Sequence, residues 1–94
     1  MIDDTSFGLD IDNPITLTSV PISYSYLKHL ILEDGSEISY KRRGSRNTID
    51  LWEIYDIETG SFLATIYINC YAKENTDKCP KGFKFREYER QLLH

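Results

Sequence analysis

The densest charged cluster in the sequence is basic, since Lys41, Arg42, Arg43 and Arg46 follow directly after Tyr40. Cations bind phosphates and an aromatic ring stacks on a base, so this pattern is typical of a single-stranded nucleic-acid site. The whole chain has a formal net charge of −4, which opposes non-specific binding to phosphates. Nucleic-acid binding through this loop is therefore an alternative and not the favoured function.

The internal histidine, His29, is the one candidate for acid–base chemistry. In the hairpin described below it would lie opposite Tyr40, with Arg42 one pair further along. A metal-free nuclease uses these residue types for proton transfer and for stabilising a phosphate. No second acid–base partner can be named, so we expect no catalytic residues and retain a nuclease based on His29 only as a further alternative.

The two cysteines, Cys70 and Cys79, allow a disulfide or two free thiols. A disulfide closing so short a loop contributes about 2–3 kcal/mol in an oxidising compartment. The N-terminal residues lack the basic and apolar stretches of an export signal, so we expect reduced thiols and a cytoplasmic location. Together with His29 and His94, the cysteines show no spacing typical of zinc, and we expect no metal and no cofactor.

Two chain reversals define the predicted sheet. An Asp34-Gly35 pair between residues 22–32 and 37–42 is a strong hairpin signal, because both flanking segments alternate. The first of these segments also has helical features, since Ser19 is a possible cap and Pro21 suits a first turn. Strand and helix therefore both remain open for residues 22–32.

The second reversal joins residues 51–55 to residues 62–68, with Asp56 and Gly60 supplying the turn chemistry. Pairing Asp56 with Ser61 gives a hairpin that is apolar on both faces. One predicted face carries Leu51, Tyr55, Phe62, Ala64, Ile66, Ile68 and Cys70, and the other carries Trp52, Ile54, Leu63, Thr65, Tyr67 and Tyr71. Strands of this type are central in a sheet or covered by another element.

The remaining segments complete a mostly β, or α+β, fold. We expect a small antiparallel sheet of four to five strands, built on two consecutive hairpins, with a short C-terminal helix against one face. With 94 residues the chain suits one core, so residues 1–14 are predicted to be a loosely ordered acidic arm and residues 15–94 one globular domain. The smaller elements are a strand at 15–18, polar loops at 43–48 and 73–82, an edge strand at 82–85, and helical spacing of Phe85, Tyr88 and Leu92.

Protein binding is the function that the sequence favours. One short helix leaves part of the second hairpin face uncovered, so Trp52, Leu63, Tyr67 and Tyr71 are predicted to contact a partner. That partner is another protein or a second copy of the chain. By analogy of size and charge, the protein resembles inhibitors or antitoxin-like modules that meet a basic target. No apolar run approaches the roughly 20 residues that span a bilayer, so no membrane partner is expected.

Overall fold

The computed structural model describes residues 4–86, in which a mixed sheet lies against one helix. The elements are a 3₁₀ turn (Asp4–Ser6), β1 (Ile15–Thr16), α1 (Val20–His29), β2 (Leu30–Leu32), β3 (Ile38–Arg46), β4 (Ile49–Asp56), β5 (Phe62–Asn69) and β6 (Phe83–Phe85). The main sheet has the order β1-β5-β4-β3, and β2 pairs with β6. The predicted class of a small, mainly β fold is confirmed, although β1 runs parallel to β5 and makes the main sheet mixed.

Helix α1 forms where the first arm of the Asp34-Gly35 hairpin was expected. The Ser19 hydroxyl accepts a hydrogen bond from the Ile22 N–H at 3.3 Å. Pro21 lies in the first turn, where backbone N–H groups have no partner within the helix, so its lack of an N–H costs no hydrogen bond. The buried side chains of the helix are Ser23, Tyr26 and Leu27. A strand at residues 22–32 is therefore wrong as far as His29. The alternation of serine and tyrosine at residues 23–26 favours a strand, but the Ser19 cap and the burial of one helical face stabilise the helix more.

The Asp34-Gly35 turn exists, but it does not join a hairpin. The Gly35 N–H donates to the Leu32 carbonyl at 2.9 Å, and the Asp34 carboxylate accepts the Ser36 N–H at 2.8 Å. Strand β2 then pairs with β6 rather than with β3, so the predicted pairing across this turn is wrong. The edge strand expected at residues 82–85 is confirmed as β6.

The first true hairpin joins β3 to β4 through Asn47 and Thr48. Both residues have positive φ, 50° and 68°, as a tight turn between antiparallel strands requires. The sequence signal is weak because neither residue is glycine, and threonine rarely adopts this conformation. The prediction of a loop over residues 43–48 is therefore wrong, since most of it belongs to the hairpin.

The second hairpin, from β4 to β5, is confirmed. The Asp56 N–H donates to the Ser61 carbonyl at 2.9 Å, and the Asp56 carboxylate accepts two turn N–H groups. A bulge then intervenes, because Ile54 pairs with Ala64 whereas Tyr55 pairs with Phe62. One extra residue exchanges the faces of the β4 side chains, so their predicted assignment is wrong.

The core lies between α1 and the face of the main sheet that we call the inner face. Trp52 and Ile54 join Ile66 and Ile68 there, each at most 3 % exposed. Tyr26 and Leu27 of α1 pack against the same cluster. The opposite, outer face carries half-buried side chains, including Leu51, Glu53, Thr65 and Tyr67.

The N-terminal segment contacts this core. Phe7 and Leu9 pack against it, and the Gly8 carbonyl accepts the Tyr67 N–H at 2.9 Å. The short strand expected at residues 15–18 is confirmed as β1. Division of the chain into an arm and a domain stays a prediction.

The predicted C-terminal helix falls largely on residues 87–94, which lie outside the described residues. The helix that packs on the sheet within residues 4–86 is α1, in the first third of the chain. In that range, no helix has both the length and the apolar character needed to cross a membrane.

Candidate functional site

A cleft of ≈ 270 Å³ opens between the start of α1 and the ends of β3 and β4. Its lining residues are Val20, Ser23 and Tyr24 from the helix, Arg42 from β3, Asp50 and Trp52 from β4, and Tyr71 from the segment after β5. The site therefore combines aromatic rings with one acid and one base. Such a mixture of apolar walls and a few placed polar groups is typical of binding sites.

The acid and the base of the cleft form an ion pair. Arg42 Nη2 lies 3.0 Å from Asp50 Oδ1, and the side chains are 47 % and 11 % exposed. A carboxylate this buried needs a partner, and Arg42 supplies it from the neighbouring strand. The pair fixes the position of both groups without leaving a net charge in the cleft.

Two exposed aromatic rings flank the cleft. Tyr71 is 71 % exposed, yet its N–H donates to the Asn69 side chain at 3.0 Å and the next N–H, of Ala72, donates to the Leu17 carbonyl at 2.9 Å. Tyr24 is 47 % exposed and packs edge-on against Trp52, with ring centroids 5.3 Å apart. Exposed rings on an anchored backbone lose little conformational entropy when they contact a partner.

The floor of the cleft holds an unsatisfied donor. Trp52 is 3 % exposed, and within residues 4–86 its buried indole N–H has no hydrogen-bond acceptor. Tyr40 packs against the same ring, with centroids 5.8 Å apart. A buried donor without an acceptor costs about 1–3 kcal/mol, so this N–H lowers the stability of the fold.

The thiol of Cys70 lies behind the ion pair. Its Sγ donates to Asp50 Oδ2 at 3.7 Å, and burial, followed by the Asp50 charge, raises the pKa of this thiol. Burial also raises the pKa of Cys79 to about 11, with Asp77 adding to the effect. Both cysteines are free, and both thiols stay protonated at neutral pH.

This protonation predicts slow thiol chemistry in the native protein. A thiol with a raised pKa holds less thiolate at pH 8, so Ellman's reagent should modify both thiols more slowly than in the denatured chain, by about a hundredfold at Cys79. The rates are compared with and without guanidinium chloride, and the native rate should rise up to the highest pH tested. Equal rates at pH 8 would contradict the burial of both thiols.

The structure separates the four residues predicted to bind a partner. Trp52 and Tyr71 both line the cleft. Tyr67 lies half-buried on the outer face, and Leu63, 39 % exposed, lies at the bulge near the β4–β5 turn. Among residues 4–86, the large apolar side chains that are exposed therefore form two groups: Val20, Tyr24 and Tyr71 at the cleft, and Ile57, Phe62 and Leu63 near that turn.

The basic residues of β3 lie around a second bulge, which is located between Arg42 and Gly44. Arg42 turns to the inner face and pairs with Asp50, while Arg43 pairs with Glu53 on the outer face at 2.7 Å. Lys41 also lies opposite Glu53, Arg46 is exposed beside the β3–β4 turn, and Tyr40 is half-buried against Trp52. The arrangement does not give one continuous basic surface.

His29 is the last residue of α1 rather than a strand residue. Its Nδ1 lies 2.8 Å from the Ser25 carbonyl, and it is not among the residues that line the cleft. Its predicted position opposite Tyr40 is therefore wrong, because the helix replaces that strand. In the described part of the chain, no three His, Cys, Asp or Glu side chains are grouped so that they could hold a metal ion.

Sequence reasoning did not identify Val20, Ser23, Tyr24 or Asp50 as site residues. The cap at Ser19 predicts a helix that would place Val20 and Tyr24 one turn apart on the same face. Asp50 shares the inner face with Trp52 because the two are two positions apart on a strand. Its pairing with Arg42 depends on the register of β3 against β4, in which Arg42 lies opposite Trp52, and the Asn47–Thr48 turn that joins these strands has little sequence signal.

Comparisons with protein families, with curated proteins and with solved structures find no match for this chain.

Proposed function

We propose that the chain is a protein-binding module without catalytic activity, and that the cleft between α1 and the β3–β4 hairpin receives the partner. The observation that supports this most strongly is the exposed Tyr71 ring on a backbone fixed at two consecutive N–H groups. Val20 and Tyr24 extend the apolar surface around it. Aromatic side chains at the centre of a contact surface contribute much of its binding free energy.

The charge of the protein indicates what kind of partner it meets. A formal net charge of −4 favours binding to a basic protein. Opposite charges accelerate the encounter of the two proteins, and like charges disfavour acidic competitors. The cleft itself is balanced by the Arg42–Asp50 pair. Specific contact therefore depends on shape, aromatic packing and hydrogen bonds, with long-range attraction provided by the rest of the surface.

The variant Tyr71→Ser tests the function and the site together. Tyr71 is exposed, so the variant should fold normally while losing about 1–3 kcal/mol of binding free energy, equivalent to a roughly fivefold to 150-fold weaker complex. The tagged 94-residue chain and its variants are used to capture proteins from a lysate of the native host, and bound proteins are identified by mass spectrometry. Sedimentation of the purified chain at increasing concentration detects a second copy as partner.

Leu63→Ser is the matched control, because Leu63 is exposed and lies outside the cleft. A protein retained by the wild type and by this control, but lost with Tyr71→Ser, supports the proposal. Retention by all three chains contradicts the cleft as the contact surface. Loss only with Leu63→Ser moves the surface to the β4–β5 turn.

A further inference from the structure

The charges of the cleft restrict what its occupant can be. An anionic group would be repelled by Asp50 and by the net charge of −4, and a cationic group would be repelled by Arg42. Either ligand would also compete with an ion pair already formed at 3.0 Å. An uncharged group avoids both costs.

The hydrogen-bonding groups of the cleft restrict the occupant further. A guanidinium only donates hydrogen bonds, and a carboxylate only accepts them. The Trp52 indole N–H is buried and therefore offers no donor to the occupant, so Arg42 and Asp50 are the groups that it meets. The complementary group must therefore accept on one side and donate on the other, which a primary carboxamide does with its carbonyl and its NH₂.

We infer that the cleft binds the side-chain carboxamide of a glutamine or asparagine in the partner protein, with the carbonyl accepting from Arg42 and the NH₂ donating to Asp50. The inference rests on the proposed protein-binding function. Tyr24 and Tyr71 contact the methylene groups of the inserted side chain, which lies beside the Trp52 ring. The volume of ≈ 270 Å³ suits a single side chain, since sites for drug-sized ligands are roughly 300–1,000 Å³.

Nuclear magnetic resonance tests this ligand class directly, because Trp52 is the only tryptophan in the sequence and gives one indole N–H signal. The ¹⁵N-labelled chain is titrated with acetyl-Gly-Gln-Gly-N-methylamide and, separately, with acetyl-Gly-Glu-Gly-N-methylamide, so that the glutamine side chain is the primary carboxamide that distinguishes them. The peptides have nearly the same shape and differ in one charge. We expect the glutamine peptide to shift the indole signal saturably, and the glutamate peptide to bind about tenfold more weakly.

The variant Asp50→Asn should reverse this preference. It keeps the shape of the side chain but removes the charge that excludes a carboxylate, leaving Arg42 to bind the glutamate peptide at least as tightly as the glutamine peptide. A dispersed spectrum confirms that the variant is folded, and the wild-type comparison stands even if it is not.

Equal affinities of the two peptides for the wild type, or no saturable shift with either, would overturn the carboxamide inference. These results are independent of the capture experiment. Partner capture that depends on Tyr71, without any preference for glutamine, would reject this ligand class and leave the protein-binding function standing. Loss of the proposed function would appear instead as capture unaffected by Tyr71→Ser.

Discussion

Gly8→Ala is expected to destabilise the protein by about 2–5 kcal/mol, the sum of backbone strain and overpacking. Gly8 has a φ of +74°, which costs alanine about 1–2 kcal/mol. An added Cβ would also lie 2.9 Å from Ile15 Cγ1 and 2.9 Å from Pro80 Cγ, inside van der Waals contact. Both neighbours are buried, so relieving the clash must displace the N-terminal segment from the core.

Gly60→Ala provides the matched control, because Gly60 has the same φ of +74° but nothing within 4 Å of an added Cβ. It should lose only the strain of about 1–2 kcal/mol. Urea unfolding followed by circular dichroism measures both variants. Equal losses at the two positions would contradict the contact of Gly8 with the core, and would favour the loosely ordered arm that the acidic composition of residues 1–14 predicts.

Trp52→Ala is expected to lose about 3–5 kcal/mol, which is comparable to the total stability of many small domains. The ring is buried between Tyr24 and Tyr40 and forms the floor of the cleft, so its removal leaves a cavity. Trp52→Phe should lose less than about 1.5 kcal/mol, because it keeps an aromatic ring and removes the donor that has no acceptor.

The same unfolding measurement decides between these outcomes, with Phe62→Ala as the control for an aromatic residue that is 56 % exposed. A loss at Trp52 no larger than that at Phe62 would contradict the burial of the indole. A loss for Trp52→Phe as large as that for Trp52→Ala would show that the indole N–H is satisfied in solution.

The second hairpin could be predicted because its turn chemistry is local. Asp56 and Gly60 determine that turn whatever the rest of the chain does. The face of each β4 residue depends instead on a bulge near Leu63, where one extra residue reverses the alternation. No residue in this stretch signals the bulge, so the sequence placed Trp52 on the face opposite to Ile66.

The helix could have been recognised from the cap at Ser19, but the Asp34-Gly35 pair favoured a hairpin more strongly. Both signals are physically valid, since the cap and the turn each form. What the sequence could not supply is the partner of β2, because pairing with β6 brings together residues about fifty positions apart. Long-range pairing of this kind depends on tertiary packing rather than on local residue preference.

In the candidate site, too, some residues could be predicted from local sequence and others depend on long-range packing. Trp52 and Tyr71 were identified because they are large and aromatic on a strand already rich in apolar residues. Tyr24 reaches the cleft only through the α1 helix, and Asp50 meets Arg42 only through the pairing of β3 with β4. The basic cluster was visible as a sequence of charges, but Arg42 and Arg43 are consecutive residues of a strand, so they lie on opposite faces and each pairs with a carboxylate.

Site-specific photo-crosslinking tests the central claim that the cleft is the contact surface. A benzophenone amino acid is introduced in place of Tyr71 in one chain and in place of Phe62 in another, and both are irradiated in the native host. We expect a crosslinked protein partner from position 71 and none from position 62. A crosslink from position 62 alone, or from neither position, would contradict that claim.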